Sequence, residues 1–518
     1  MSKPRTRREF MGGVGRGMLV ASVGLGTAVD LGLTTARAGA DEDGRIDFGP
    51  LEPLVSLMQE TAANDIVPAL VARLNAGVEL KQLVAAAALA NARTFGGEDY
   101  VGFHTLMALA PAHHMASELP EARRALPVLK VLYRNTRRIQ EHGGRKSEVL
   151  HPVKPGASPA GDDAGIALRE AVRRKDLVGA EGTFAAIAAG SPDAALDDLL
   201  VAVEDHTEVH RVVLPYRAWE LLSVVGPQHA HTMLRQSVRY CVRNENPGHD
   251  GEARTLLPRL FDSYGLPRTS TGRKRPGDAW VAEMCKTIFE STPSAAAEAV
   301  AAALADDIAP DEIGEAIALA ANQLVLRDAG RPERYAAPGK PPGSVHGDSV
   351  GVHASDAVNA WRNMSRVVNP RNRAACLILA GYEVARDRQS RGADFLRWTP
   401  RPAAEYLDGI KATDAKTLLA ETDAAIRANQ QEIASALVHR YGELGHDPAA
   451  VFALMLGYAV SEDGALHGEK YYNTVREEFA STRPAFRWRQ LVALARVTAS
   501  ECGRPAPGLD QARELLKV

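Results

Sequence analysis

Fifteen histidines are spread over 518 residues, and four of them recur at one place in a repeated layout. His104, His210, His353 and His467 each open a helical stretch, within Gly102-Phe103-His104, Glu208-Val209-His210, Gly351-Val352-His353 and Ala465-Leu466-His467. A proline follows each by 16 or 17 residues (Pro120, Pro227, Pro370, Pro484) and opens a further helix. Imidazole is the commonest protein ligand for late transition metals and also serves as general acid or base. If the repeats close into a ring, equivalent positions face a common axis. The four histidines then converge on one metal such as iron or copper. If the repeats stack as an open solenoid, the histidines lie in a row and share no site. A histidine at a helix start can also cap the helix or bond a neighbouring helix, and duplication would copy that role. The sequence leaves these outcomes open.

Other side chains could assist. His206 and His210 are four residues apart, so they share a face if that segment is helical. His206 is therefore a candidate fifth ligand, with Glu204, Asp205 and Glu208 as acceptors for the ring N–H groups. His113 and His114 follow His104 by two to three turns on the same helix. Basic or histidine side chains recur in the helix after each proline: Arg123, His229 or His231, Arg373 and Arg487. Arg373 and Arg487 are candidates to orient a substrate. The bland reading of such arginines is pairing with acids, for instance Glu477 and Glu478, on a solvated face. Glu443-Leu444-Gly445-His446 has a di-iron carboxylate spacing, but Gly445 and Pro448 end the helix there. HExxH, Walker and dinucleotide GxGxxG motifs are absent.

The elements that must carry these residues read as helices. Ile313, Ile317, Ala320 and Leu324 line one helical face. Ser191-Pro192, Thr292-Pro293, Asn369-Pro370 and Asp447-Pro448 place a capping residue before a first-turn proline. Alanine is abundant, aromatics make up 5%, and no sustained alternation suggests a sheet. Stretches 142–163, 266–277, 330–347 and 388–401 are rich in Gly, Pro and charge and read as loops. The expected fold is all-α. It comprises four quasi-repeated helical units, approximately 48–141, 164–262, 278–387 and 402–518, forming a closed helical bundle or α/α toroid-like array within one domain, 41–518. The alternative is an open helical solenoid.

The N-terminus carries its own message. Thr6-Arg7-Arg8-Glu9-Phe10-Met11 resembles the twin-arginine export consensus. A weakly apolar, uncharged stretch follows from Gly17 to Val29, then small residues Ala38-Gly39-Ala40 before Asp41. Residues 1–40 therefore read as a signal peptide recognised by the twin-arginine machinery, and the expected location is the periplasm or beyond. That route exports folded proteins, typically after a cofactor is inserted. The segment holds six basic and two acidic residues, so its removal takes the formal charge from −3 to −7. That balance argues against nucleic acid as a partner. No other run is long and apolar enough to span a membrane. Cys241, Cys285, Cys376 and Cys502 form no CxxC or CxxCH pattern. Neither c-type haem nor an iron–sulfur cluster is expected.

The run Gly102-Phe103-His104-Thr105-Leu106-Met107-Ala108-Leu109-Ala110 resembles the histidine-bearing helices of the questin oxidase-like family; residues 205–222 do so more loosely. The resemblance implies a mostly helical fold and oxidative chemistry on polyketide quinones. The function expected from the sequence is an exported, histidine-ligated metalloprotein, a metal-dependent oxidoreductase or oxygenase acting on a small organic molecule. The rival is a non-catalytic helical-repeat scaffold or binding protein of the cell envelope.

Overall fold

A computed structural model describes residues 44–156, 163–246, 251–267, 272–389 and 394–518. The twin-arginine segment, 1–40, lies outside them. Among the described residues the chain is helical throughout, with only isolated β-bridges.

Helices start where the capping residues stand. Ser191, Thr292 and Asp447 accept the backbone N–H of Ala194, Ala295 and Ala449, with proline at the following position. Asn369 does the same for Asn372 ahead of Pro370. Proline fits there because a first-turn N–H has no partner within the helix. The other three prolines of the repeat stand in the turns that lead into the next helix. Pro120 and Pro227 sit at 3-10 turns and Pro484 precedes Trp488–Glu501.

Each unit is a five-helix motif. Unit 1 runs Glu52–Glu60, Ala63–Asn75, Leu80–Phe95, Tyr100–Glu118 and Ala125–His142. Unit 2 runs Asp163–Arg173, Leu177–Ile187, Pro192–Val203, Val209–Glu220 and Ala230–Arg243. Unit 3 runs Asp278–Glu290, Pro293–Ala305, Pro310–Arg327, Val350–Ser365 and Pro370–Gln389. Unit 4 runs Ala415–Arg427, Gln431–Glu443, Pro448–Ser461, His467–Ser481 and Trp488–Glu501. The fourth helix carries the histidine, and the fifth closes the unit. In every unit the closing helix packs on the other four.

The units form a closed ring. The third helix of each packs on the closing helix of the next, and the third helix of unit 4 returns to the closing helix of unit 1. The four histidine helices likewise pack in the cycle 1–2–3–4–1. Such head-to-tail contacts close only if the rotation per unit adds up to a full turn; here four do, and the open solenoid is excluded. Basic side chains of the closing helices seal the junctions at the C-terminal ends of the third helices, where carbonyls lack intrahelical donors. Lys130 Nζ donates to Ala459 O and Glu462 O at 2.8 and 2.6 Å. Arg496 Nη1 donates to Val325 O at 2.6 Å, and Arg386 to Thr207 O at 3.0 Å.

Two glycines explain part of the repeated motif. A Cβ on Gly102 would come 2.5 Å from the Phe95 ring, and one on Gly351 2.6 Å from the Val325 backbone nitrogen. Two residues before the histidine, glycine lets the third helix close against the histidine helix. All four cysteines are free thiols, three of them buried. No helix among the described residues is long and apolar enough to cross a membrane.

Candidate functional site: the axis of the ring

The histidine helices are capped so that each histidine falls in the first or second turn. Asp99 accepts from Gly102 N, Glu208 from His210 N and Arg211 N, and Ser349 from Val352 N. In unit 4 the chain turns through left-handed Ala465 and Leu466 before His467 begins the helix. The structure brings His104, His210, His353 and His467 together. Going round the ring, centroid separations are 4.8 Å (104–210), 5.8 Å (210–353), 5.2 Å (353–467) and 5.2 Å (467–104). The Nε2 atoms of His104 and His210 are 3.2 Å apart, as are those of His353 and His467.

Two of the rings have their tautomers set by acceptors. His104 Nδ1 lies 2.7 Å from Tyr100 O, which can only accept, so Nδ1 carries the proton. His210 Nδ1 lies 2.5 Å from Glu208 Oε1. Burial opposes ionisation of Glu208, but the His210 hydrogen bond, with Tyr240 OH donating at 2.7 Å, outweighs it and holds the carboxyl down at about 2. His210 Nδ1 therefore also donates. With both rings neutral, the two Nε2 atoms present lone pairs to each other.

Burial disfavours protonation of three of the four rings. Burial, reinforced by the charge of Lys470, pushes His104 down to about 2 and His353 to about 3, and His467 well below its ordinary value. Lys470 is itself buried, which lowers it to about 8, while Asp356 pulls the other way. Asp356 and Lys470 stand one turn below His353 and His467. Asp356 Oδ1 accepts from Thr474 at 2.9 Å, and its Oδ2 has no hydrogen-bond partner among the described residues.

Aromatic rings enclose the imidazoles on one side. Phe103 stacks on His104 at 5.0 Å and is buried. Tyr100 lies 4.4 Å from His104 and 5.6 Å from His210, yet is 60% exposed, so it stands at the mouth.

His206 is not where helical spacing puts it. The helix of unit 2 begins only at Val209, so His206 lies in the preceding link and shares no helical face with His210. It lines a pocket of ≈ 560 Å³ with Glu208, Tyr240, Lys175 and Arg243. Of the acids expected to support the ligands, Glu208 touches His210. Glu204 and Asp205 are engaged by arginines instead: Arg169 and Arg371 on Glu204, Arg173 on Asp205. Arg373 Nε donates to Ser365 O at 3.1 Å, and the Arg487 guanidinium sits 5.1 Å from the Phe479 centroid. Among the described residues neither arginine bonds the four histidines. Arg476 and Arg483 pair with acids, Glu118 and Glu315 respectively.

Comparison with protein families, curated proteins and solved structures finds no match.

The site thus rests on its own geometry. Tyr100, Tyr240, Asp356 and Lys470 were not apparent as site residues in the sequence. The signal for Asp356 and Lys470 was present: each lies three residues after its unit's histidine, so the histidine register extended by one turn finds them.

Proposed function

We propose that this chain is an exported, histidine-ligated metalloprotein that acts as an oxidoreductase on a small organic molecule. The supporting observation is the Nε2 pair of His104 and His210, 3.2 Å apart with both Nδ1 atoms committed as donors. Facing lone pairs at that distance repel unless a proton or a metal ion lies between them. Metal–nitrogen bonds of about 2.0–2.1 Å put neighbouring ligands of one ion at roughly 3 Å, the spacing of both pairs. Four imidazoles suit iron or copper. A metal bound there would polarise a substrate or activate oxygen.

The protein's own groups have separable roles. Glu208 orients His210 and raises its basicity, and Tyr240 holds Glu208. Phe103 excludes water from one flank. Tyr100, at the mouth, offers a face for an aromatic substrate, in keeping with the local likeness of Gly102–Ala110 to the questin oxidase-like family. The pocket beside Glu208 bears Lys175 and Arg243, which suit a substrate with a carboxylate or phenolate. The twin-arginine signal supports loading of the metal before export.

The scaffold reading draws on the other pair. An Nε2–H tautomer of either His353 or His467 can donate to its neighbour at 3.2 Å without any metal. Elemental analysis of protein purified with its N-terminal sequence intact separates the two. The expected result is close to one equivalent of iron or copper, lost in H104A/H353A. Less than about a tenth of an equivalent in the wild type, unchanged in that variant, selects the scaffold.

A further inference from the structure

The repeat that aligns the histidines aligns a second set of residues. Ten positions after His104, His210, His353 and His467 stand His114, Glu220, Asn363 and Glu477. At 1.5 Å rise per residue this is ~15 Å along the axis, near the C-terminal ends of the same four helices. The side chains meet there. One ligand atom each from His114, Glu220 and Glu477 lies within 4.8 Å of the others. Asn363 Nδ2 donates to Glu477 Oε2 at 2.8 Å. So all four equivalent positions contribute to one cluster, and every one is a residue type able to ligate a metal.

We propose that this end of the axis is a second, divalent-cation site, formed by His114, Glu220 and Glu477, with Asn363 orienting the Glu477 carboxylate. Three physical features favour a cation. First, Glu477 receives amide N–H groups from Asn359, Asn363 and Asn473 at 2.8–3.0 Å, but no cationic side chain lies within ion-pair distance among the described residues. Second, Arg217 engages only one oxygen of Glu220, Oε2 at 2.7 Å, which leaves Oε1 3.8 Å from His114 Nδ1. Third, four parallel helices end here, and the negative ends of their dipoles add to the two carboxylates. Side-chain exposure of 46% at His114 supplies an entry path. Ligands on one ion stand no more than ~4.2 Å apart at bond lengths of about 2.1 Å, so closing the cluster needs shifts of well under 1 Å per side chain. One imidazole with carboxylate oxygens is a donor set for Mn²⁺, Fe²⁺ or Zn²⁺ more than for copper.

This site does not depend on the reading of the histidine ring. The test titrates the full chain with Mn²⁺ alone, following loss of the free-ion electron paramagnetic resonance signal. The wild type and H104A/H353A are each expected to bind about one equivalent. H114A should weaken binding by more than the ~10–100-fold typical of an outer-sphere partner, and E477Q should abolish it. His114 is half-exposed, so H114A decides the matter if E477Q fails to fold. Absence of Mn²⁺ binding below 1 mM in the wild type, or binding unchanged in H114A, overturns the proposal.

Discussion

The two ends of the axis are built from the same four helices and have opposite chemistry. At the N-terminal end stand four imidazoles, enclosed by Phe103 and Tyr100, with Lys470 one turn below. At the C-terminal end stand two carboxylates, an imidazole and an amide, open at His114. Burial and the Lys470 charge hold His104, His353 and His467 neutral at one end, whereas the negative helix ends favour a cation beside the carboxylates at the other. A duplicated helix therefore supplies two different sites from one register, according to which end of it a side chain occupies.

The comparison can be broken most decisively at the histidine end. H104A/H353A should lose more than tenfold in bound iron or copper and keep its Mn²⁺ binding, measured by elemental analysis and Mn²⁺ titration. Joint loss of both would mean that the two ends are one cooperative structure.

Acid should act first through His104, His353 and His467. Their folded-state values lie below the ordinary ~6.5, so below that pH the unfolded chain binds protons that the folded chain does not. Stability is therefore complete above pH ~6.5 and falls as pH drops toward the folded values. The slope is up to about 1.4 kcal/mol per pH unit for each buried histidine. Urea midpoints between pH 7.5 and 5.5 should fall in the metal-free protein. A flat profile would contradict the enclosure of His104, His353 and His467.

Replacing Gly351 by alanine should cost about 1–3 kcal/mol, because the new methyl must displace the Val325 backbone. Urea unfolding measures this, and a neutral result would show that the third and histidine helices separate easily.

Smaller still is the effect of E208Q. It can still accept at the helix N-terminus but no longer holds the His210 proton by charge, so metal affinity at the histidine ring should fall ~10–100-fold with little change in stability. Competition with a metallochromic chelator reads this directly. An unchanged affinity would show that Glu208 serves only as a helix cap.

Much of this was legible in the sequence. Capping residues before Pro192, Pro293, Pro370 and Pro448 mark helix starts, because those rules are local. The His-to-Pro spacing identified the four inner helices for the same reason: duplication preserves register whatever the partners. The expectation for His206 failed on a local detail. Glu208 captures the N–H groups of His210 and Arg211, so the helix starts after His206 instead of running through it. Glu204 and Asp205 were read as partners of histidine but are taken by arginines from other helices, a choice made across sequence separations of 32 to 167 residues.

The sequence by itself determined that the chain is helical, that one motif recurs four times, and which histidine each copy presents. It determined those things because helix capping and periodicity act over a few residues. Only the tertiary structure decided that the copies close into a ring. Closure depends on the rotation between successive units, which is the sum of many side-chain contacts, including Lys130 reaching from unit 1 to the carbonyls of unit 4. With closure decided, four histidines scattered over more than 360 residues became neighbours, and the residues ten positions beyond them became a second cluster at the far end of the same axis.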